Sequence, residues 1–209
     1  RPVAERMLGY LQAVRPPGGG DPLHGDAAVD AEPSPQALVD YALRLGLDVP
    51  AQRDGLRHLA DSGMLVWRSA GEYLLADVTG VGAPHVPGHG HCDSLSFEWY
   101  AGELPLVVDA GTQSYEVDEA RQASRSTRAH NTLQVDGREQ HEMWAAWRVA
   151  RRSDVRARLE EVGALEAELV PWYDRAVRVR RRFERASHGF NLVDRVSGPG
   201  VHAVVSRLH

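Results

Sequence analysis

From residue 89 the chain reads His89-Gly90-His91-Cys92-Asp93-Ser94-Leu95-Ser96-Phe97-Glu98-Trp99. Two imidazoles two positions apart, with a carboxylate two further on, can ligate a metal or move protons near neutral pH. Taken as an extended strand, His89, His91, Asp93, Leu95, Phe97 and Trp99 point one way, about 6.5–7 Å apart along it. That reading predicts an apolar wall running into a polar cluster. Cys92 shares the opposite parity with Ser94 and Ser96 and is expected as a small buried residue.

Two further groups converge on the histidines. Asp109 closes the run Leu104-Pro105-Leu106-Val107-Val108 and precedes Ala110-Gly111-Thr112, so its carboxylate sits where a strand opens into a turn. His130 follows the arginine-rich stretch Arg121 to Arg128 and leads into Asn131-Thr132-Leu133, again at a strand entrance. Two imidazoles and a carboxylate could hold zinc, leaving a position for water or a fourth protein group. A hydrogen-bonded polar cluster is the alternative.

The elements that must position these groups differ along the chain. Val3, Met7, Leu8 and Leu11 recur at helical spacing until Pro16-Pro17-Gly18-Gly19-Gly20 breaks the pattern. Ser34 caps a second helix with Pro35 at its first position, an apolar stripe of Ala37, Leu38, Tyr41, Ala42 and Leu45, and Gly46 at its end. A short third helix is expected over Ala51 to Ala60. From Gly63 the pattern becomes short apolar or alternating runs: Met64–Arg68, Tyr73–Val78, Ser94–Tyr100, Leu104–Val108 and Thr132–Val135. Asp136-Gly137 suits a hairpin turn. Val155 to Leu169 suits a helix by its Arg and Glu content and a strand by its short alternations, and its neighbours favour strand; Val177, Val179 and Arg181, Phe190 and Leu192, and Val201 to Val205 supply later strands. The expected organisation is α+β: a helical segment over 1–62, then antiparallel β structure over 63–209.

Composition sets limits. With 209 residues, 43% hydrophobic, and a net charge of −5, the chain is globular and carries no global signal for nucleic acid. A single cysteine, Cys92, excludes an intrachain disulfide framework, and no apolar run approaches the roughly 20 residues of a membrane span. No signal peptide is visible at the Arg1-Pro2 start, and the last residues read as a strand, so truncation at both ends is expected.

The blocks Gly88-His89-Gly90-His91-Cys92-Asp93-Ser94-Leu95-Ser96-Phe97, Pro105-Leu106-Val107-Val108-Asp109-Ala110-Gly111-Thr112 and Arg125-Ser126-Thr127-Arg128-Ala129-His130-Asn131-Thr132 resemble the heparinase II/III-like polysaccharide lyases in order and spacing. Val135-Asp136-Gly137-Arg138-Glu139-Gln140 continues the likeness. Weaker similarity extends upstream through Asp21 to Asp26 and downstream through Val193-Asp194-Arg195-Val196. The resemblance implies the C-terminal helices of an α/α-toroid followed by a large antiparallel β-sandwich. It implies zinc held by His91, Asp109 and His130, with His89 facing the cleft as a catalytic group. The reaction implied is β-elimination on an acidic polysaccharide of the heparin, heparan sulfate or alginate kind, by a periplasmic or secreted enzyme. Family members also draw a tyrosine and an asparagine or similar group from the toroid, upstream of Arg1, and here the chain departs from the pattern.

Other residues have a functional and a plain reading. Tyr115 can serve as acid or base if its phenol is tuned, or can pack with a bonded hydroxyl. Arg125 can grip a substrate carboxylate or sulfate, or be a solvated loop arginine. Asn131 and Gln140 can bind sugar hydroxyls or fill turn and capping duties. Arg178, Arg180, Arg181 and Arg182 read as a polyanion patch or as a solvated face. Two other classes fit parts of the pattern: a non-catalytic, zinc-stabilised carbohydrate-binding sandwich, and a hydrolase of the metallo-β-lactamase type. The latter opens with His-x-His-x-Asp but normally continues with a histidine, where Ser94 stands here.

Overall fold

The computed structural model describes residues 1–29, 33–160 and 163–209. Two helices lead the chain, α1 (Pro2–Val14) and α2 (Pro35–Arg44). The Ser34 hydroxyl accepts from Ala37 N at 3.2 Å, and Leu47 N returns to Ala42 O at 3.0 Å past Gly46, whose φ of +65° closes the helix. Both ends of α2 therefore match the sequence. The fold is mostly antiparallel β-sheet with few helices, and the expected toroid part is not among the described residues of this chain.

The expected third helix is instead strand β1 (Gly55–Leu59), which pairs antiparallel with β2 (Met64–Arg68) from Gly55↔Arg68 to Leu59↔Met64. Gly55 at φ +104° begins the strand, and the turn ending at Gly63, whose N–H donates to Leu59 O at 2.9 Å, folds it back. Cross-strand pairing outweighs a weak local helical preference. The β region accordingly starts at residue 55 rather than 63.

Strands β3 (Glu72–Asp77), β4 (Phe97–Ala101) and β5 (Leu104–Val107) complete a five-stranded antiparallel sheet in the order β1-β2-β3-β4-β5. After the short helix α3 (Glu119–Ser124), β6 (Leu133–Val135) pairs with the last strand, β13 (Val204–Ser206). Asp136 and Gly137 do form a turn, at φ +54° and +65°, but the chain continues instead of pairing back on β6. A small ribbon joins β7 (Met143–Ala145) to β8 (Arg148–Val149). The second sheet has the order β12-β11-β10-β9, from β9 (Asp154–Leu159), β10 (Ala164–Val170), β11 (Arg178–Arg185) and β12 (Phe190–Ser197).

The sheets face one another. Leu65, Trp67, Leu74, Ala76 and Phe97 of the first share one core with Leu165, Ala167, Leu169, Val179 and Phe183 of the second. Phe97 meets Phe183 edge-on at 6.0 Å between ring centroids. The outer side of β2 and β3 is covered too, by the end of α1, where Val14 packs with Val66, Tyr73 and Leu75. There the Tyr73 hydroxyl donates to Val14 O, and Arg68 Nη2 donates to Ala13 O at 3.4 Å, satisfying carbonyls that a helix end leaves free.

Alternation in β11 sends Val179, Arg181 and Phe183 inward. The arginine run is therefore no continuous patch, and three of its four members lie on the solvated face. Arg178 and Arg180 pair with Glu168, and Arg182 with Glu160 and Glu184, on the outer side, while Arg181 is buried. The Arg181 guanidinium binds both oxygens of Asp194 at 2.8 Å and donates to the carbonyls of Leu95 and Asn131. Removing one partner of such a buried network costs about 3–5 kcal/mol, whereas an exposed pair is worth about 0–1 kcal/mol. Arg181→Ala is expected to lose the larger amount in urea unfolding and Arg180→Ala the smaller. Equal losses would contradict this account.

Candidate functional site

The stretch from His89 to Ser96 is not the expected strand. Pro87–His89 is a single 3₁₀ turn, and an irregular path follows until β4 begins at Phe97. Ser96 N donates to Asp93 O at 2.9 Å and Leu95 adopts φ +67°, which breaks the alternation. Gly90 permits the path: a Cβ there would lie 2.7 Å from Val81 Cγ2 and 2.8 Å from Gly82 N. His89 and His91 nevertheless reach one common group.

That group is Asp26. Its Oδ2 lies 2.8 Å from His89 Nδ1, and its Oδ1 lies 2.8 Å from His91 Nε2. The guanidinium of Arg121 grips both oxygens, with Nη2 to Oδ2 at 2.7 Å. Burial alone would raise the Asp26 pKa, but the bonds from His91 and Arg121 and the arginine charge hold it well below the usual carboxylate range. Arg121 comes from α3, whose N-cap Asp118 accepts Arg121 N at 2.7 Å. Its other donors reach Ala146 O, Thr112 Oγ1 and Gly88 O, and its Cζ stands 4.0 Å from the centre of the Trp147 ring.

Asp26 belongs to a strap, residues 21–27, that lies across the sandwich loops. Leu23 N donates to Glu98 Oε1 at 2.7 Å, Gly25 N to Asp93 Oδ2 at 3.0 Å, and Thr112 N to Ala27 O at 2.9 Å. The Tyr115 hydroxyl donates to Asp26 O at 2.7 Å, and its ring stacks on Trp147. An open cleft of ≈ 920 Å³ runs beside the strap, lined by Asp26, Asp77, His89, Asp93 and Tyr115 among others. The His89 side chain is 65% exposed and Tyr115 45% exposed, so both present themselves to it.

Behind this surface, His91, Asp109 and His130 are all buried. His130 Nδ1 lies 3.0 and 2.9 Å from the two Asp109 oxygens, which also accept from Ser96 Oγ and Gly111 N. Burial would raise Asp109, but the His130 bond and charge hold it down at about 2; the same bond keeps His130 above its ordinary value against burial. The rings of His91 and His130 stand 5.3 Å apart, and the far nitrogens, His91 Nδ1 and His130 Nε2, are buried without hydrogen-bond partners. Asp109 thus engages the His130 nitrogen other than the open one. Among the described residues no three His, Cys, Asp or Glu side chains by themselves form a metal cage.

The three expected substrate binders are framework residues. Buried Arg125 donates to Gly90 O, Ala145 O and Ala146 O. Buried Asn131 donates to Phe97 O and Val108 O and accepts from His209 N. Gln140 Nε2 reaches Ser94 O at 2.9 Å and Thr132 Oγ1 at 3.1 Å. None of the three side chains is free to meet a sugar. Sequence reasoning missed Asp26 and Arg121; the only signals were the upstream likeness ending at Asp26 and the cap Asp118 three residues before Arg121.

His141 is a buried histidine with a plain role. Ser94 Oγ donates to Thr79 O at 2.8 Å, so His141 Nε2–H donates to Ser94 Oγ, and Ser153 N–H donates to His141 Nδ1 at 3.1 Å. A proton on Nδ1 would face another donor. Burial pushes its pKa down to about 4, so between there and about 6.5 the unfolded chain holds a proton that the folded chain refuses. Stability rises with pH through that window and is lost as pH falls through it, by on the order of 3 kcal/mol from this group. His141→Gln is expected to flatten that part of a stability–pH curve measured by urea unfolding.

Comparisons with known proteins align with this architecture. The sequence profile of the family described as heparinase II/III-like, C-terminal, matches residues 51–209. A heparinase III gene product superposes with a TM-score of 0.68 at 18% identity, covering 96% of this chain and 33% of that one. A heparan sulfate lyase mutant from Pedobacter heparinus gives 0.67 at 20% identity, covering 93% and 32%. A further heparinase III gives 0.63 at 14% identity, covering 94% and 34%. The chain thus spans about a third of the length of each. No curated protein matches in sequence.

Proposed function

The chain belongs to the heparinase II/III-like family, whose C-terminal profile covers residues 51–209, and from that premise we propose that it carries the sandwich half of a lyase active site for uronic-acid-containing polysaccharide. The observation that carries this reading is His89, exposed on the cleft wall beside Tyr115 with one ring nitrogen anchored on a carboxylate.

β-Elimination asks for three things. A base removes the C5 proton, the electrons of that bond form the C4–C5 double bond, and the C4–O4 bond breaks as an acid protonates O4. The uronate carboxylate must be neutralised so that C5 is acidic enough. His89, with Nδ1 engaged on Asp26, has Nε2 free to accept the C5 proton. Tyr115 donates to Asp26 O and keeps acceptor capacity toward the cleft, which suits a partner in proton transfer. Heparin, heparan sulfate and alginate have the required chemistry, and polymers of that size call for a periplasmic or secreted enzyme. No helix among the described residues is long and apolar enough to cross a membrane.

Zinc belongs to the same proposal. Two buried imidazole nitrogens without partners, on rings 5.3 Å apart, are costly unless something accepts their lone pairs, and a divalent cation does. His91 Nδ1 and His130 Nε2 would hold it, with Asp109 orienting His130 from behind. Bound there, zinc would cross-link the His91 loop to the entrance of β6 and add folding energy. The rival hydrolase reading is disfavoured because Asp93 is engaged on Gly25 N.

Two measurements test this. Elemental analysis is expected to find about one zinc per chain, lost in both His91→Ala and His130→Ala and retained in His89→Ala. With the toroid half of the site also present, incubation with heparan sulfate, heparin and alginate is expected to yield ultraviolet-absorbing unsaturated uronate, with turnover falling about 10²–10⁴-fold in His89→Ala. Retention on the polymers without unsaturated product would favour the binding module, and saturated products would favour hydrolysis.

A further inference from the structure

His89 and His91 are anchored through different ring atoms, His89 by Nδ1 and His91 by Nε2, yet on the two oxygens of one carboxylate. Asp26 is 8% exposed, and its charge is fixed by the Arg121 guanidinium on the same two oxygens. An ionised carboxylate only accepts, so each ring nitrogen facing it must carry the hydrogen. The consequence is opposite in the two rings. In neutral His89 the lone pair is on Nε2, and in neutral His91 it is on Nδ1.

We propose that Asp26 is the positioning residue of this site: it fixes His89 as the Nδ1–H tautomer and His91 as the Nε2–H tautomer, so that one lone pair faces the cleft and the other faces His130. This deepens the lyase reading and rests on it for the role of His89, while the tautomers themselves do not depend on it. Three further observations support it. The cleft side of His89 is open, with the ring held edge-on against Trp147 at 5.3 Å between centroids. His91 Nδ1 has no other partner in its buried setting. Asp26 is itself located from both sides, because Gly25 N donates to Asp93 Oδ2 and Asp26 O accepts from Tyr115 Oη. One side chain on the strap thereby sets the reactive nitrogen of the cleft and the open nitrogen of the buried histidine pair.

Asparagine at this position separates positioning from charge. Its single carbonyl can accept from only one of the two histidines, and its amide must face the other histidine together with an Arg121 donor. Asp26→Asn therefore forces one imidazole to change tautomer, and Asp26→Glu restores two acceptors at a longer reach.

The deciding experiment is two-bond ¹⁵N–¹H correlation NMR of the histidine side chains in the wild-type chain at a pH where the rings are neutral, assigned with His89→Gln and His91→Gln. Nδ1–H for His89 and Nε2–H for His91 are expected. The reverse tautomer in either ring overturns the proposal, and because the spectrum is of the wild type it decides even if the asparagine variant does not fold. In folded Asp26→Asn one of the two rings is expected to change tautomer, and two unchanged rings would overturn the proposal. With the toroid half of the site present, turnover is expected to fall about 10²–10⁴-fold in kcat with KM changed less than about threefold, and to recover in part in Asp26→Glu. Wild-type protein without elimination activity in that setting but with both tautomers as stated would refute the lyase reading and leave the positioning role standing. Elimination activity with either tautomer reversed would do the opposite.

Discussion

The paired contact of Arg121 with Asp26 is the constraint on which the arrangement of the site depends. An ionised carboxylate that is nearly excluded from water is costly unless it is fully bonded, and here four donors meet it: two from one guanidinium and one from each of two imidazoles. The carboxylate and its donors come from three separate parts of the chain. Asp26 lies on the strap between α1 and α2, the histidines lie ahead of β4, and Arg121 lies on α3. Because the carboxylate is satisfied only when all three parts are in place, their relative positions are specified together. The aromatic face of Trp147 below Arg121 adds a fourth segment to the same joint.

The loops around this joint are stabilised by a common device. Residues 90–96, 131 and 146 follow irregular paths, so several of their carbonyls have no ladder partner. Buried guanidinium groups take that place. Arg125 binds Gly90 O and Ala146 O, Arg181 binds Leu95 O and Asn131 O, and Arg121 binds Gly88 O and Ala146 O. Five N–H donors in a rigid plane suit this work, since one side chain can join two or three backbone segments at once. The sandwich core supplies the cohesion, and these arginines convert it into fixed loop geometry.

This division explains what could be read from the sequence. Regular elements were legible where alternation and turn residues agreed: β2, β3, β5 and β11, and both ends of α2, follow their patterns. The histidine-rich run was legible as chemistry, and His91, Asp109 and His130 are brought together as a buried group. Its backbone was not legible, because the turn at Asp93–Ser96 and the left-handed Leu95 depend on bonds to Asp77 and Arg181 from distant segments. The stretch from Ala51 to Ala60 misled because an edge strand draws its stability from β2. Arg125 looked like a substrate grip because a guanidinium suits carboxylates and backbone carbonyls alike, and only the fold says which it meets. Asp26 lies 63 residues from His89 in a loop without periodicity, so nothing local tied them together.

Electrostatics of the cleft follow from the same compensation. A count of carboxylates on its wall suggests a surface hostile to an acidic polymer, since Asp26, Asp61, Asp77 and Asp93 all line it. The environments of two of the four change that count. Asp26 is matched by Arg121. Asp77 is pushed well above the usual carboxylate range, first by burial and then by the Asp93 charge, and so is held toward its neutral form. Glu98, beneath the strap, is likewise raised by burial against the opposing pull of His24 and the Leu23 N–H. The anchored imidazole of His89 turns its free nitrogen toward the opening, close to a carboxylate whose charge is already balanced. A polar group that must meet an acidic sugar works best when the negative charge orienting it is not itself presented to the substrate, and the bidentate arginine behind Asp26 achieves that separation.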